Sequence, residues 1–342
     1  MRRVPHPSGV DVVFDAKWHQ YKVGHTALRS VSKVLDKYFP FDEKRVLALV
    51  SKKTGQPVED VKALWNRQAL LGKNIHEYIE TKLRGLPPPT WTLLLKRQQQ
   101  QAAAAAAAAK EEPVKKKRGR KKKKAAAAAE ADEKERGEAA SLSTASSQST
   151  VDALLHGEEA AYMKAADGVI ETILGNYDVI AVEQVIASPS WGIGGTVDLI
   201  ARNKRTQKLF IGDWKTSSSV ASAFRFGSFE TPCTGCLMHL PNTKFYRYAM
   251  QVIIYGEILK HERYLSDGFF GRAVKPVDAS VKGITVSSRS LHSALEYGIV
   301  QLSKNEEGGV CVEFKEVTEG TVLPVDARDF TFRELLKNVM RG

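Results

Sequence analysis

Two short apolar stretches separated by a polar turn constrain this chain more than any other feature. Gly194-Gly195-Thr196-Val197-Asp198-Leu199-Ile200 and Leu209-Phe210-Ile211-Gly212-Asp213-Trp214-Lys215-Thr216 are rich in β-branched and aromatic residues, as strands are. Asn203-Lys204-Arg205-Thr206-Gln207 between them is polar and turn-like. The pair reads as a β-hairpin. A turn centred between Arg205 and Thr206 puts Asp198 opposite Asp213, since the two acids are equally far from it. Side chains alternate faces along a strand, so Lys215 shares a face with Asp213. Like charges directly opposite are destabilising, and a divalent cation between the carboxylates would remove that cost. Oxygen-rich donor sets of this kind suit Mg²⁺ or Mn²⁺. A single bulge would instead carry Asp198 to the other face.

The chain has 342 residues and a formal net charge of +12. Most of that charge is local. Nine of its 51 Lys and Arg lie in residues 115–124, and without them 42 basic residues stand against 39 acidic ones. The remainder is nearly balanced, so the overall charge does not describe a basic surface over the whole protein. Cys233, Cys236 and Cys311 are too few for a disulfide framework, which points to a reducing compartment. Cys233-x-x-Cys236 is half of a zinc or iron–sulfur pattern, with His239 as a conceivable third ligand. A four-thiolate site needs one more Cys than the chain has, so no iron–sulfur cluster is expected. No apolar run approaches the roughly 18 residues of a membrane-spanning helix, and no membrane partner is expected. Arg2 and Arg3 suit a transit peptide, but Asp11 and Asp15 follow too soon.

The chain reads as three stretches. Residues 1–96 comprise an arm or short strands (1–30) and then helices over Ser30–Lys37, Asp42–Lys52 and Val58–Leu70, the last continuing or restarting over Gly72–Leu83. Val61, Leu64, Trp65 and Leu71 are apolar at helical spacing. Residues 97–150 are low in complexity: glutamines, alanines, a basic tract, more alanines, an acidic patch and a Ser/Thr-rich tail. With almost no large apolar residues they cannot bury a core, and they read as a disordered insertion. Residues 151–342 carry a helix over Val151–Leu174 and a strand over Asp178–Ala187 that holds Glu183. After the hairpin come a short helix over Ser217–Phe226, a loop with the Cys-x-x-Cys, and a helix over Thr243–Lys260. Strands over Gly268–Val274, Val281–Val286 and Val310–Val317 follow, then a closing helix over Phe330–Met340. This order predicts an α/β fold with a mixed central sheet flanked by helices. Gly192, Gly194 and Gly195 suit a bulge or a close approach of backbone to a substrate.

Asp198 followed by Asp213-Trp214-Lys215 resembles the core of the PD-(D/E)XK nuclease superfamily. Gly72-Lys73-Asn74-Ile75-His76 resembles the Gly-x-x-x-His motif of its RecB-like exonuclease branch, and Gln251-Val252-Ile253-Ile254-Tyr255 the Gln-x-x-x-Tyr motif. The order His, acid, acid-x-Lys, Gln-x-x-x-Tyr also matches. The resemblance covers roughly residues 30–90 and 151–260. Leu240-Pro241-Asn242-Thr243-Lys244 is similar to RecB-like proteins of large DNA viruses and eukaryotes, including the mitochondrial genome maintenance exonuclease type. The resemblance implies a restriction-endonuclease-like core and metal-dependent hydrolysis of DNA phosphodiester bonds, on ends or single strands, in repair, recombination or genome maintenance. It implies that His76, Asp198, Asp213 and the Trp214 carbonyl hold Mg²⁺ or Mn²⁺, and that Lys215 activates water and stabilises the developing charge. Gln251 and Tyr255 would support Lys215 or the substrate backbone.

Other residues read less directly. Gln251 and Tyr255 sit at i and i+4 on one helical face, and Arg247, a turn earlier, is a candidate phosphate contact. Glu183 is either a further acid at the site or an edge residue. Glu80 is a partner for His76 or a second carboxylate. The basic tract, including Lys115, Lys116, Lys117, Arg118, Arg120 and Lys121, resembles a nuclear-localisation signal read by the import machinery. It would also neutralise DNA phosphates without sequence preference. The expected compartment is the nucleus, with mitochondria as the alternative. Two other functions compete with a nuclease: a catalytically idle nucleic-acid-binding module, and a chromatin-targeting adaptor built on the insertion.

Overall fold

Residues 2–30, expected as an arm or short strands, form four: β1 (Arg2–Val4), β2 (Val12–Asp15), β3 (Gln20–Val23) and β4 (Thr26–Ser30). Each pairs antiparallel with the next. Val4, Val12, Tyr21 and Leu28 turn inward and pack on Val185 and Ala187. The structure, a computed structural model, describes residues 1–110, 139–216, 231–266, 269–270, 295–305, 307, 309–324 and 332–341. They fall into two compact units, Met1–Pro87 with Tyr162–Gly342, and Pro88–Ala161.

In the first unit, Ser30 ends β4 and caps α1 (Val31–Asp36), its hydroxyl accepting the Lys33 N–H. Asp42 caps α2 (Glu43–Thr54) in the same way at 3.0 Å, and Gly55 ends it in a left-handed conformation. α3 (Val58–Leu83) runs unbroken through Gly72. Of its apolar residues at helical spacing, Val61 and Leu71 are buried, whereas Leu64 is exposed.

The second unit contains α4 (Thr90–Lys110), which follows three prolines; Thr92 Oγ1 donates to the Pro89 carbonyl at 2.6 Å. α4 passes through Gln98–Gln101 and the first alanine run, in keeping with alanine's helix propensity. α5 (Ala139–Asn176) begins in this unit and ends in the first. The described helices thus reach into the low-complexity segment from both sides, and residues 111–138, with the whole basic tract, lie outside the described residues. In the first unit, Tyr162, Val169, Ile170 and Ile173 of α5 are buried.

From α5 the chain enters β5 (Tyr177–Ser188), β6 (Ile193–Asn203) and β7 (Leu209–Lys215), each antiparallel to the next. α6 (Lys244–His261), capped by Thr243, crosses to β8 (Glu296–Lys304), which runs parallel to β7. β9 (Val310–Val317) returns antiparallel to β8. α7 (Glu319–Val322) and α8 (Phe332–Arg341) follow. The fold is mixed α/β, with a mixed sheet flanked by helices. Among the described residues the strand order is β1-β2-β3-β4-β6-β7-β8-β9, with β5 also paired to β6. β8 was not among the expected strands; those expected at 268–274 and 281–286, and the helix at 217–226, fall largely or wholly outside the described residues.

β6 organises the sheet. β5 follows one of its edges from end to end. The other edge is shared: β4 pairs in parallel at Ile193 and Gly194, and β7 from Leu199 to Arg202. Between those contacts the edge has no ladder partner among the described residues, and Asp198 sits in that interval. α6 lays Ala249, Val252, Ile253 and Ile258 against Ile200, Ile211 and Ile299 in the main core. Gly194 and Gly195 do serve close approach, but to aromatic rings instead of a substrate. A Cβ on Gly194 would come 2.9 Å from the Tyr21 ring, and one on Gly195 would clash with the Tyr255 ring.

Gly195→Ala should therefore destabilise the protein by about 1–3 kcal/mol, the usual cost of overpacking a tight core. Urea denaturation measures this, and an unchanged midpoint would show that the Tyr255 ring is not confined there.

Candidate functional site

The β6–β7 ladder, Leu199↔Gly212 through Arg202↔Leu209, keeps the register expected from the turn. The ladder stops one step short of the two acids, which the same register would set opposite each other. There Asp198 Oδ2 accepts the Trp214 backbone N–H at 3.1 Å. The two acids are only 7% and 1% exposed. Burial pushes both carboxyls above the usual range, Asp213 to about 6 in spite of Lys215 beside it. Lys215 Nζ lies 2.9 Å from Oδ1 and 2.8 Å from Oδ2 of Asp213. Burial opposes the lysine's charge, but Asp213 and Asp198 outweigh it and hold the ammonium above the ordinary lysine range. The ammonium also lies 4.7 Å from the centre of the Tyr248 ring, within cation–π reach.

α3 delivers His76, and the Gly-x-x-x-His spacing has a local cause. A Cβ on Gly72 would meet Thr216 Oγ1 at 2.7 Å. One turn earlier, Gln68 Nε2 donates to the Thr216 carbonyl at 2.9 Å. The helix is thus seated on the residue after Lys215, and His76 follows one turn beyond the contact. Its Nδ1 lies 3.6 Å from Asp198 Oδ2 and 3.8 Å from Glu183 Oε1. Burial works against the imidazolium, but Asp198 and Glu183 prevail and raise its pKa.

Glu183 falls opposite Asp198 on the other side of β6, between the pairs Val182↔Leu199 and Gln184↔Val197. Its backbone is left-handed, φ 49°, which costs a non-glycine residue about 1–2 kcal/mol. Arg2 Nη2 donates to its carbonyl at 3.3 Å. Ligand atoms of His76, Glu183 and Asp198 all lie within 4.8 Å of one another, the one such His/Cys/Asp/Glu group among the described residues. The structure thus sorts the expected ligands. Glu183 joins His76 and Asp198, while Asp213 is engaged by Lys215 and Trp214 contributes its N–H to Asp198. The Trp214 side chain is buried, its ring centre 6.3 Å from that of His76.

Gln251 Nε2 donates to Tyr255 Oη at 2.8 Å, across one turn of α6. Tyr255 is buried against Gly195, and burial, with Tyr21, Asp213 and Asp198 adding to it, raises its phenol well above the usual value. Arg247 is placed elsewhere than expected. It pairs with Asp36 at 2.6 Å and donates to the Ser32 carbonyl at 3.4 Å, joining α6 to α1. Glu80 pairs with Arg84, not with His76. Cys233 is buried in the core, and burial pushes its thiol up to about 12; His239 bonds the Val322 carbonyl.

His76, Glu183 and Lys215 open onto a cleft of about 1230 Å³, lined also by Arg2, Lys73, Lys244 and Tyr248. The last four were not among the site residues expected from sequence. Lys244 follows the N-cap of α6 and Lys73 follows Gly72, so their positions depend on how those helices dock. The arrangement offers one imidazole and two carboxylates to a cation, beside a buried acid–lysine pair.

The left-handed backbone of Glu183 separates geometry from charge. Glu183→Gly should be more stable than Glu183→Ala by about 1 kcal/mol, because glycine tolerates positive φ. Chemical denaturation of the two variants checks this; equal stabilities would mean that the backbone relaxes.

A comparison of the sequence with protein-family models and with curated proteins finds no match.

Proposed function

We propose that the protein is a metal-dependent nuclease that hydrolyses DNA phosphodiester bonds. In this proposal it is an exonuclease on ends or single strands, with a restriction-endonuclease-like core, serving repair, recombination or genome maintenance. The observation that supports it best is convergence. His76 from α3, Glu183 from β5 and Asp198 from β6 bring ligand atoms within 4.8 Å of one another, and His76, Glu183 and Lys215, the partner of buried Asp213 in β7, line one cleft. Their order along the chain is that of the RecB-like motifs.

The donors fit a divalent cation. Three ligand atoms from one imidazole and two carboxylates lie within 4.8 Å of one another, and clustered carboxylates are unfavourable without a counter-charge. His76, Glu183 and Asp198 would hold Mg²⁺ or Mn²⁺, with Asp213 and the Trp214 carbonyl as the further ligands the resemblance implies. Such an ion polarises a phosphoryl oxygen and lowers the pKa of a bound water. The chain's own groups do the rest. Asp213 keeps Lys215 charged in a buried position, where it stabilises negative charge developing on the phosphorus centre. Gln251 and Tyr255 brace β6 through Gly195. Lys73 and Lys244 line the cleft wall, where flanking phosphates would pass. The basic tract serves nuclear import and sequence-independent phosphate contact.

Labelled linear DNA incubated with Mg²⁺ or Mn²⁺ should be degraded, and EDTA should stop it. Lys215→Ala should slow hydrolysis by about 100- to 1000-fold, as loss of a transition-state donor does. Equal rates for wild type and variant would end the enzyme reading.

A pH dependence follows from the same groups. Asp213 titrates at about 6 and His76 above the ordinary imidazole range, and a cation competes with both protons. Apparent Mn²⁺ affinity should fall as pH drops from about 7 to about 5, and level off at higher pH. Calorimetric titration reads it, and a flat profile would exclude these two groups as ligands.

A further inference from the structure

We infer that Phe41 and Trp65 form a stacking subsite for the bases of a single-stranded nucleic acid lying along α3; the inference rests on the nuclease proposal. Trp65, Gln68, Gly72, Lys73 and His76 all line the cleft. Trp65, Gly72 and His76 are spaced as one helical stripe, with Gln68 and Lys73 flanking it on opposite sides. Trp65 and His76 are eleven residues apart, which is about 16 Å along the axis and within about 20° of the same face. The stripe therefore runs from an aromatic end, past a glycine with a lysine at its side, to the imidazole beside the carboxylates.

Phe41 meets Trp65 at the aromatic end, the ring centres 6.2 Å apart. Phe41 is 64% exposed, yet its backbone is pinned on both sides. Asp42 caps α2, and Asn242 Nδ2 donates to the Pro40 carbonyl at 2.9 Å. A ring held this way is presented to the cleft at little entropic cost on binding. The sequence of chemistries along the stripe selects its ligand. Unpaired bases offer π-faces to aromatic rings, and their phosphates suit the lysine near the His76 end. Paired bases in a duplex keep those faces stacked inside. An apolar segment of protein would satisfy the rings but gain nothing from Lys73.

The test is equilibrium binding of a fluorescent oligothymidylate in EDTA at fixed salt, where no hydrolysis occurs. Trp65→Leu and Phe41→Leu should each weaken binding roughly 5- to 100-fold, the range seen when one stacked base loses its partner, while Trp65→Phe largely retains it. An oligonucleotide of the same length lacking its bases should bind wild type as weakly as the intact one binds Trp65→Leu. Thermal melting confirms that the variants fold. The subsite is wrong if wild type does not bind the oligonucleotide, if the leucine variants bind like wild type, or if the baseless strand binds as well as the intact one. Base-dependent binding without any hydrolysis under Mg²⁺ would overturn the nuclease proposal alone. Hydrolysis with base-independent binding would overturn the subsite alone.

Discussion

Two carboxylates buried side by side, Asp198 and Asp213, set the terms for the groups around them. An unanswered buried charge is expensive, and here each acid is answered separately. Asp213 has the Lys215 ammonium on both oxygens. Asp198 has a backbone N–H from β7 and the His76 ring from α3. The first answer is local to β7, and the second brings β7 and α3 to Asp198. The hairpin must stop pairing so that Trp214 can donate to a side chain. α3 must come close enough for His76 to reach, which leaves Gly72 no room for a Cβ against Thr216.

The sheet makes space for this by the way β6 divides its edge. β4 takes the start in parallel, β7 takes the end antiparallel, and the interval between them holds the acid. β5 covers the opposite edge but is distorted at the same level, where Glu183 adopts a left-handed backbone. Strain of this kind persists only where surroundings over-determine it. Arg2 from the first strand holds the Glu183 carbonyl, so the N-terminal meander supports the site as well as extending the sheet.

Much of the site could be read in the sequence because it is local. The turn between Arg205 and Thr206 determines which residues face each other, and the observed pairs follow that register. Gly72 and His76 are one turn apart, as are Gln251 and Tyr255, so each pair shares a helical face whatever the helix packs on. Other features were not legible. β8 reads as a mixed stretch, Glu-Tyr-Gly-Ile-Val-Gln-Leu-Ser-Lys, because it is buried between β7 and β9 and shows no polar face. Arg247 lies one turn before Gln251 and invites the role of a phosphate contact, yet Asp36 of a distant helix claims it. No pattern in either segment announces that pairing.

By itself, the sequence determined the hairpin, its register, the buried acid–lysine grouping and the amphipathic helices, since these depend on turn symmetry and side-chain periodicity among near neighbours. Only the tertiary structure decided which acids stand with His76, which cations line the cleft, and that an N-terminal meander joins β6 beside the acids. Those outcomes depend on how segments more than a hundred residues apart dock, which no local pattern specifies.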